Sequence, residues 1–271
     1  MKGLFIFLFL VLNSCNLLAT GYLPSVGSEA NALGGCSLLG NNAFCAINNP
    51  SLICWQKEPI LGVVFRNYYG VKDINQVNIA GLIPYKNVGY GFNIFSFGNG
   101  IFKQQSIGAS ASYALNKQLN IGMGADYQSI AVRNYGQNSV LTIHGGISAK
   151  INNKLQIAFH VFNPMRAKFS AYKDERIQSA YKFGLSYMVS IPVTTYLEVE
   201  KNNLYKANLK ASLNYQLKNK FNIRCGFSTT QPQFGFGIGY KYHNLNIDAA
   251  CVIHQFIGVS NNISLQYKFG K

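Results

Sequence analysis

LNIDAACVIHQFIGVSNNISLQYKF, residues 245–269, decides the fold. Leu245, Ile247, Ala249, Cys251 and Ile253 alternate with Asn246 and Asp248. After a turn, Ile263, Leu265, Tyr267 and Phe269 alternate with Ser264, Gln266 and Lys268. A period of two sends successive side chains to opposite faces of a strand, so each run has one apolar and one polar face. Ala207, Leu209, Ala211, Leu213 and Tyr215 do the same against Asn208, Lys210, Ser212 and Asn214. In a soluble sandwich the apolar faces would meet in a core. Here too many strands of about ten residues carry the pattern for one interior to hold, and their polar faces are rich in Gly, Ser and Asn. Apolar outward and polar inward is the pattern of a transmembrane antiparallel β-barrel in contact with outer-membrane lipid.

Working outward, fourteen segments carry the alternation: 60–68, 74–83, 88–97, 104–115, 118–131, 138–151, 154–162, 177–191, 193–201, 205–216, 219–229, 233–242, 245–255 and 259–270. An even number suits a single-chain bacterial barrel. Asn116-Lys117, Asn152-Asn153, Lys218-Asn219 and His243-Asn244 read as two-residue hairpins on the periplasmic side. The longest connection, Asn163 to Arg176, then falls outside. The other loops are short, which argues against a large ligand-capturing crown. Tyr68-Tyr69, Tyr85, Tyr90, Tyr113, Tyr127, Tyr215, Tyr240, Tyr242, Tyr267 and Phe269 lie near strand ends and are expected to form interfacial girdles.

Composition agrees. Charged residues make up 12% of the chain and aromatics 14%, too little charge for a soluble surface. Outside the leader, no window has the roughly 18 apolar residues of a spanning helix. The leader, residues 1–21, reads as a signal peptide: Met1-Lys2, an apolar run from Gly3 to Leu12, then small and polar residues. Two processing routes are open, cleavage after Ala19 or Gly21, and a lipoprotein route in which Leu12-Asn13-Ser14-Cys15 leaves an acylated Cys15. Both take the chain out of the cytoplasm, to the bacterial outer membrane. The net charge of +15 is scattered singly, without a basic run or aromatic RNA-binding motif, so nucleic acid is excluded as a partner.

Between leader and barrel (residues 59–271) lies a third piece, residues 22–58, containing ALGGCSLLGNNAFCAINNPSL at 32–52. Gly34-Gly35, Gly40, Asn41-Asn42 and Asn48-Asn49-Pro50 are turn residues around two short apolar pieces. The segment lacks alternation and is too polar for lipid, so it either hangs in the periplasm or fills the lumen as a plug. Asn48-Asn49-Pro50 is read first as a fixed turn and second as a ligand contact. Cys36, Cys45 and Cys54 have room for one disulfide, whereas Cys225 and Cys251 fall on apolar strand faces as small hydrophobes. No spacing suggests zinc, and no cofactor or metal site is expected.

Asp126, His144, Lys150, Lys182, Glu198, Glu200, Lys210, Arg224, Lys241, Asp248 and Lys268 fall on inward faces. Glu198 and Glu200, two apart on one strand, have the spacing for acid–base work, but lumen charges usually pair or stay solvated. No His is followed two residues later by Ser, as an outer-membrane phospholipase would need. Gly34-Gly35 lacks the spacing of a phosphate loop. The expectation is a non-enzyme, with no catalytic residues. Arg166, Lys168, Tyr172, Lys173, Asp174, Glu175 and Arg176, in the longest loop, are the candidates for protein contact.

Ala32-Leu33-Gly34-Gly35-Cys36, then Asn41-Asn42, then Ile47-Asn48-Asn49-Pro50-Ser51-Leu52 resembles the N-terminal signature of PorV/PorQ-like outer-membrane proteins. Phe162-Asn163 and Phe183-Gly184-Leu185-Ser186-Tyr187 resemble their mid-barrel segment. Cys36 and Ser51 stand where that signature has Ala. The resemblance implies a FadL-like fourteen-stranded barrel serving type IX protein secretion, with other secretion-system proteins or cargo domains as partners. The alternatives are a FadL-type transporter for a hydrophobic small molecule and a purely structural scaffold. A transporter is expected to show a lateral wall opening and an apolar lumen pocket near the N-terminal segment.

Overall fold

The computed structural model describes residues 25–169, 176–218, 220–230 and 233–270. The leader with Cys15, and Tyr172, Lys173, Asp174 and Glu175 of the longest loop, lie outside the described residues. The first half of the barrel comprises β1 (Ile60–Asn67), β2 (Asn75–Tyr85), β3 (Val88–Gly98), β4 (Phe102–Ala114), β5 (Leu119–Val132), β6 (Gly136–Lys150) and β7 (Leu155–Phe162). The second comprises β8 (Ala180–Ser190), β9 (Val193–Asn202), β10 (Asn208–Leu217), β11 (Phe221–Ser228), β12 (Gln233–Tyr242), β13 (Leu245–His254) and β14 (Gly258–Lys268). All fourteen run antiparallel to their neighbours, and β1 closes on β14 through pairs from Ile60↔Lys268 to Asn67↔Asn261. Each segment expected from the alternation holds one strand.

Period two explains the wall. On β12, Phe234, Phe236 and Ile238 point out, while Gly235, Gly237 and Gly239 point in. Outward residues such as Ile238 and Leu141, each 60% exposed, form an apolar surface that lipid satisfies and water does not. Ten residues rising about 3.3 Å each at a tilt of about 45° span roughly 23 Å, close to a barrel's apolar band. Tyr85, Tyr113, Tyr242, Tyr267 and Phe269 ring the end that carries the tight turns and both barrel termini. We call this the turn end, and the opposite rim the loop end.

Two expectations need correction. The Asn116 and Asn152 turns hold four residues rather than two, because each Asn carboxamide oxygen accepts two later backbone N–H groups (2.8 Å each) and widens the turn. Tyr68 and Tyr69 leave the girdle: β1 stops at Asn67, and both rings line a cavity at the loop end.

The wall steps at the β6–β7 junction. β6 pairs with β7 only from His144 to Lys150, so its loop-end portion, beginning at Gly136, rises above β7. The described parts of the following connection, 163–169 and 176–179, pack beside this step as a strap. Asn163 fastens it, donating from Nδ2 to the Ile177 carbonyl (2.9 Å) and accepting from the Ala167 N–H (3.0 Å). Ile177, Phe162 and Ala180 form an apolar patch beneath, against which Val140 and Phe169 pack.

Candidate functional site: the plugged lumen

Residues 25–56 fill the barrel as a plug built from two short helices, α1 (Ser28–Ala32) and α2 (Cys45–Asn48), and a 3-10 turn (Pro50–Trp55). The Asn-Asn-Pro motif is its internal fastening. Asn48 pairs with the Val26 backbone in both directions, accepting at 3.0 Å and donating at 2.8 Å. Asn49 caps the 3-10 turn by accepting from Ser51 N (3.3 Å) and Ser51 Oγ (2.7 Å), and it donates to the Leu38 carbonyl. Pro50 takes the first position of that turn, where no N–H is needed.

The plug has two unlike sides. Val26, Ala43, Phe44, Ala46, Ile47, Leu52 and Ile53 pack as an apolar face on Ile60 and Val64 of β1 and Ala80 and Leu82 of β2. Elsewhere it meets strand backbone directly, on seats made by inward glycines. A Cβ on Gly226 or Gly235 would strike the chain at Leu33 or Asn31, and one on Gly122 would strike Ser51 and Pro50. Gly34 answers from the plug side: its φ is +63°, and a Cβ there would lie 2.5 Å from Phe227 N. The Gly on the polar strand faces thus gives the plug room to touch the wall. Gly35 also has positive φ, and its carbonyl accepts from Lys210 Nζ at 3.0 Å.

Toward β8–β13 the contact is ionic. Glu198 accepts from the Ser37 and Leu38 N–H groups (2.8 and 3.0 Å), and Lys210 bridges Glu198 (2.9 Å) and Glu200 (2.6 Å). Arg224 joins Asp248 of the wall to Glu29 of the plug. The carboxylates at 198 and 200 are therefore held by Lys210 as plug anchors rather than poised for acid–base work. Across the lumen, Asn93 donates to Asp126 (3.0 Å), Asp126 lies 3.4 Å from His144 Nε2, and His144 Nδ1 lies 3.2 Å from His160 Nε2. Lys182 reaches Ser37. Lys150, Lys241 and Lys268 share the inner faces but sit toward the turn end, Lys150 over the Trp55 ring. Cys36, Cys45 and Cys54 are free thiols, so the plug carries no disulfide. Burial, with the Glu198 carboxylate adding to it, pushes the Cys36 thiol up to about 12.

A cavity lies at each face of the plug. At the turn end, about 100 Å³ is enclosed by Leu39, Leu52, Trp55, Gln56, Lys150 and Gln156 among others. At the loop end, a vestibule of about 290 Å³ stands on Ser25, Asn31 and Gly35, with Arg66, Tyr68, Tyr69, Glu200, Lys206 and His254 in its walls. The apolar pocket expected near the N-terminal segment is only a recess of about 10 Å³ beside Leu33, Leu38 and Leu185, and the vestibule is polar. Of the plug-motif and loop residues expected to make contacts, the vestibule gathers Gly35 alone, beside the inward Glu200 and Lys210. Asn48, Asn49 and Pro50 lie buried inside the plug, and Gly34 is pressed on β11. Arg166 and Lys168 are exposed on the strap, where Lys168 pairs with Arg176 across an isolated bridge. Arg66 and Lys206 escaped notice in the sequence, where Tyr68 reads as a girdle residue instead. Parity on β1 reveals Arg66, since Ile60, Gly62, Val64 and Arg66 share the inner face.

No protein-family model and no curated protein matches the sequence. Solved structures match the fold. The toluene transporter TodX of Pseudomonas putida superposes with a TM-score of 0.72 at 11% identity, covering 92% of this chain and 100% of that one. The toluene transporter TbuX of Ralstonia pickettii gives 0.71 at 13%, covering 92% and 99%. A FadL homologue of Pseudomonas aeruginosa gives 0.67 at 11%, again covering 92% and 99%. None of these three is described as a secretion component. At such identities the likeness is one of architecture: a FadL-like, closed, fourteen-stranded barrel with an N-terminal segment in its lumen.

Proposed function

We propose that this chain is a non-enzymatic outer-membrane channel of the FadL type, in which the plug governs passage of a small organic molecule. One observation carries the reading: the plug spans a closed fourteen-strand barrel and leaves a cavity at each of its faces. In this reading the turn end and both barrel termini face the periplasm, and the vestibule faces outside. The two unlike sides of the plug suit movement. Apolar packing on β1 and β2 is insensitive to direction and tolerates sliding, whereas the ionic anchors on β9–β11 hold one position and release stepwise.

Swelling of proteoliposomes tests the reading. The purified barrel is expected to pass small organic solutes, and to pass them faster when Glu198→Gln and Glu29→Gln weaken the anchors. Vesicles that stay tight with both proteins would make the chain a sealed scaffold instead. The secretion reading is favoured by the Gly34-Gly35 and Asn48-Asn49-Pro50 signature alone. It requires that deletion of the gene trap secreted proteins in the periplasm while solute uptake is unchanged.

A further inference from the structure

We infer that the vestibule binds a small hydroxylated organic anion, its carboxylate held by Arg66 and its hydroxyl groups by the surrounding side-chain amides. The inference rests on the channel reading and names its solute class. Arg66 is only 8% exposed, and its guanidinium carbon sits 4.1 Å above the centroid of the Tyr68 ring. Nη1 donates to Asn31 Oδ1 (3.1 Å), while Nε has no hydrogen-bond partner among the described residues. Two other buried cations that anchor the plug have carboxylates, Lys210 with Glu198 and Glu200, and Arg224 with Asp248. Among the described residues, no carboxylate pairs with Arg66. A guanidinium removed from water needs a counter-charge, and its planar fork matches a carboxylate.

The rest of the lining narrows the class. Its ionised residues are Arg66, Lys206, Lys210 and Glu200. Counting Glu198, which Lys210 also pairs, three positive charges face two negative ones, a net charge of +1. Lys206 is exposed beside the opening, placed to draw an anion inward. Gln178, Asn202, Asn208, Thr230 and Gln233 supply donors and acceptors. Gln178 Nε2 is itself buried without a partner among the described residues. A hydrocarbon would displace water from these groups and return no hydrogen bonds, whereas a polyhydroxylated guest replaces them. Tyr69, Tyr205 and His254 add ring faces on which the C–H face of a sugar-like body can lie. The volume, about 290 Å³, is at the small end for ligand pockets and fits a monosaccharide acid rather than a chain of sugars.

The test pairs calorimetry with proteoliposome swelling, using D-glucuronate, D-glucose, octanoate and toluene. Glucuronate is expected to bind saturably and to permeate faster than glucose. Arg66→Gln, which keeps an N–H for Asn31, should weaken glucuronate binding about tenfold or more, because a charge-assisted pair becomes a neutral one. Lys206→Gln, on an exposed side chain with no bearing on folding, should slow entry and flatten its salt dependence. Equal binding of glucose and glucuronate would overturn the anion assignment, as would full affinity in a folded Arg66→Gln barrel. Selective passage of octanoate or toluene would overturn the solute class while leaving the channel standing. Vesicles tight to all four would remove the channel reading itself.

Discussion

Gly34 shows how much one missing side chain can carry. Its backbone sits in the left-handed region, and Phe227 N, Gly226 C and Phe227 Cα crowd the place where a Cβ would stand. Strand backbone cannot yield as a flexible side chain can, so Gly34→Ala must either lift the plug or strain the wall. The left-handed conformation alone costs about 1–2 kcal/mol for a residue with a Cβ. We expect a lower melting temperature in detergent and faster vesicle swelling, and an unchanged value of both would show that the seat is slack. Cys36 makes a second residue-scale prediction. Its thiol is raised from an ordinary 9.0 to about 12 by burial and the nearby Glu198. The folded protein keeps a proton that the unfolded chain gives up, so this contribution is complete below about pH 8.5 and is lost as pH rises toward 12. At pH 8 a thiolate-directed reagent should leave Cys36 unlabelled until the barrel is unfolded. Rapid labelling of the native protein there would show that the plug opens freely.

At the scale of elements, the strands were open to reading and the plug's contacts were not. Alternation is local, so residues 245–269 announce their two strands without help from the rest of the chain. Parity also placed Glu198, Lys210, Arg224 and Asp248 on the inner face, because two-residue periodicity fixes which way each points. Which carboxylate meets which cation depends on how the β9, β10, β11 and β13 registers bring them together, and nothing local encodes that. The vestibule was missed for the same reason: Arg66, Lys206 and His254 lie on separate strands or loops and meet only on closure. The most exacting of these contacts is the Glu198–Lys210–Glu200 group. Lys210→Met leaves two buried carboxylates facing each other, and loss of one partner from a buried ion pair costs about 3–5 kcal/mol. Adding Glu198→Gln and Glu200→Gln should restore much of that loss in thermal melts. A single variant as stable as the parent would mean that water already reaches the group.

Over the whole molecule, the barrel wall is held by backbone ladders and the plug by side chains. Every neighbouring pair of strands is hydrogen-bonded, and where β6 rises above β7 the strap fastened at Asn163 packs beside the step. The lumen, by contrast, is held by a countable set of side-chain bonds. One of these bonds lies on the junction between the two ends of the barrel. The Asn31 carboxamide accepts from Arg66 on β1 and donates to Asn262 on β14, and Arg66 and Asn262 are themselves paired in register across that junction. Joining the first strand to the last is the most distant pairing in the chain, so its loop-closure entropy must be met late in assembly. A plug already lodged on β1 offers β14 a docking point before any backbone ladder has formed there. We therefore expect the segment that fills the lumen to template circularisation during biogenesis. Asn31→Ala should slow insertion into bilayers more than it hastens unfolding, and a rate of insertion equal to the parent's would assign closure to the strands alone.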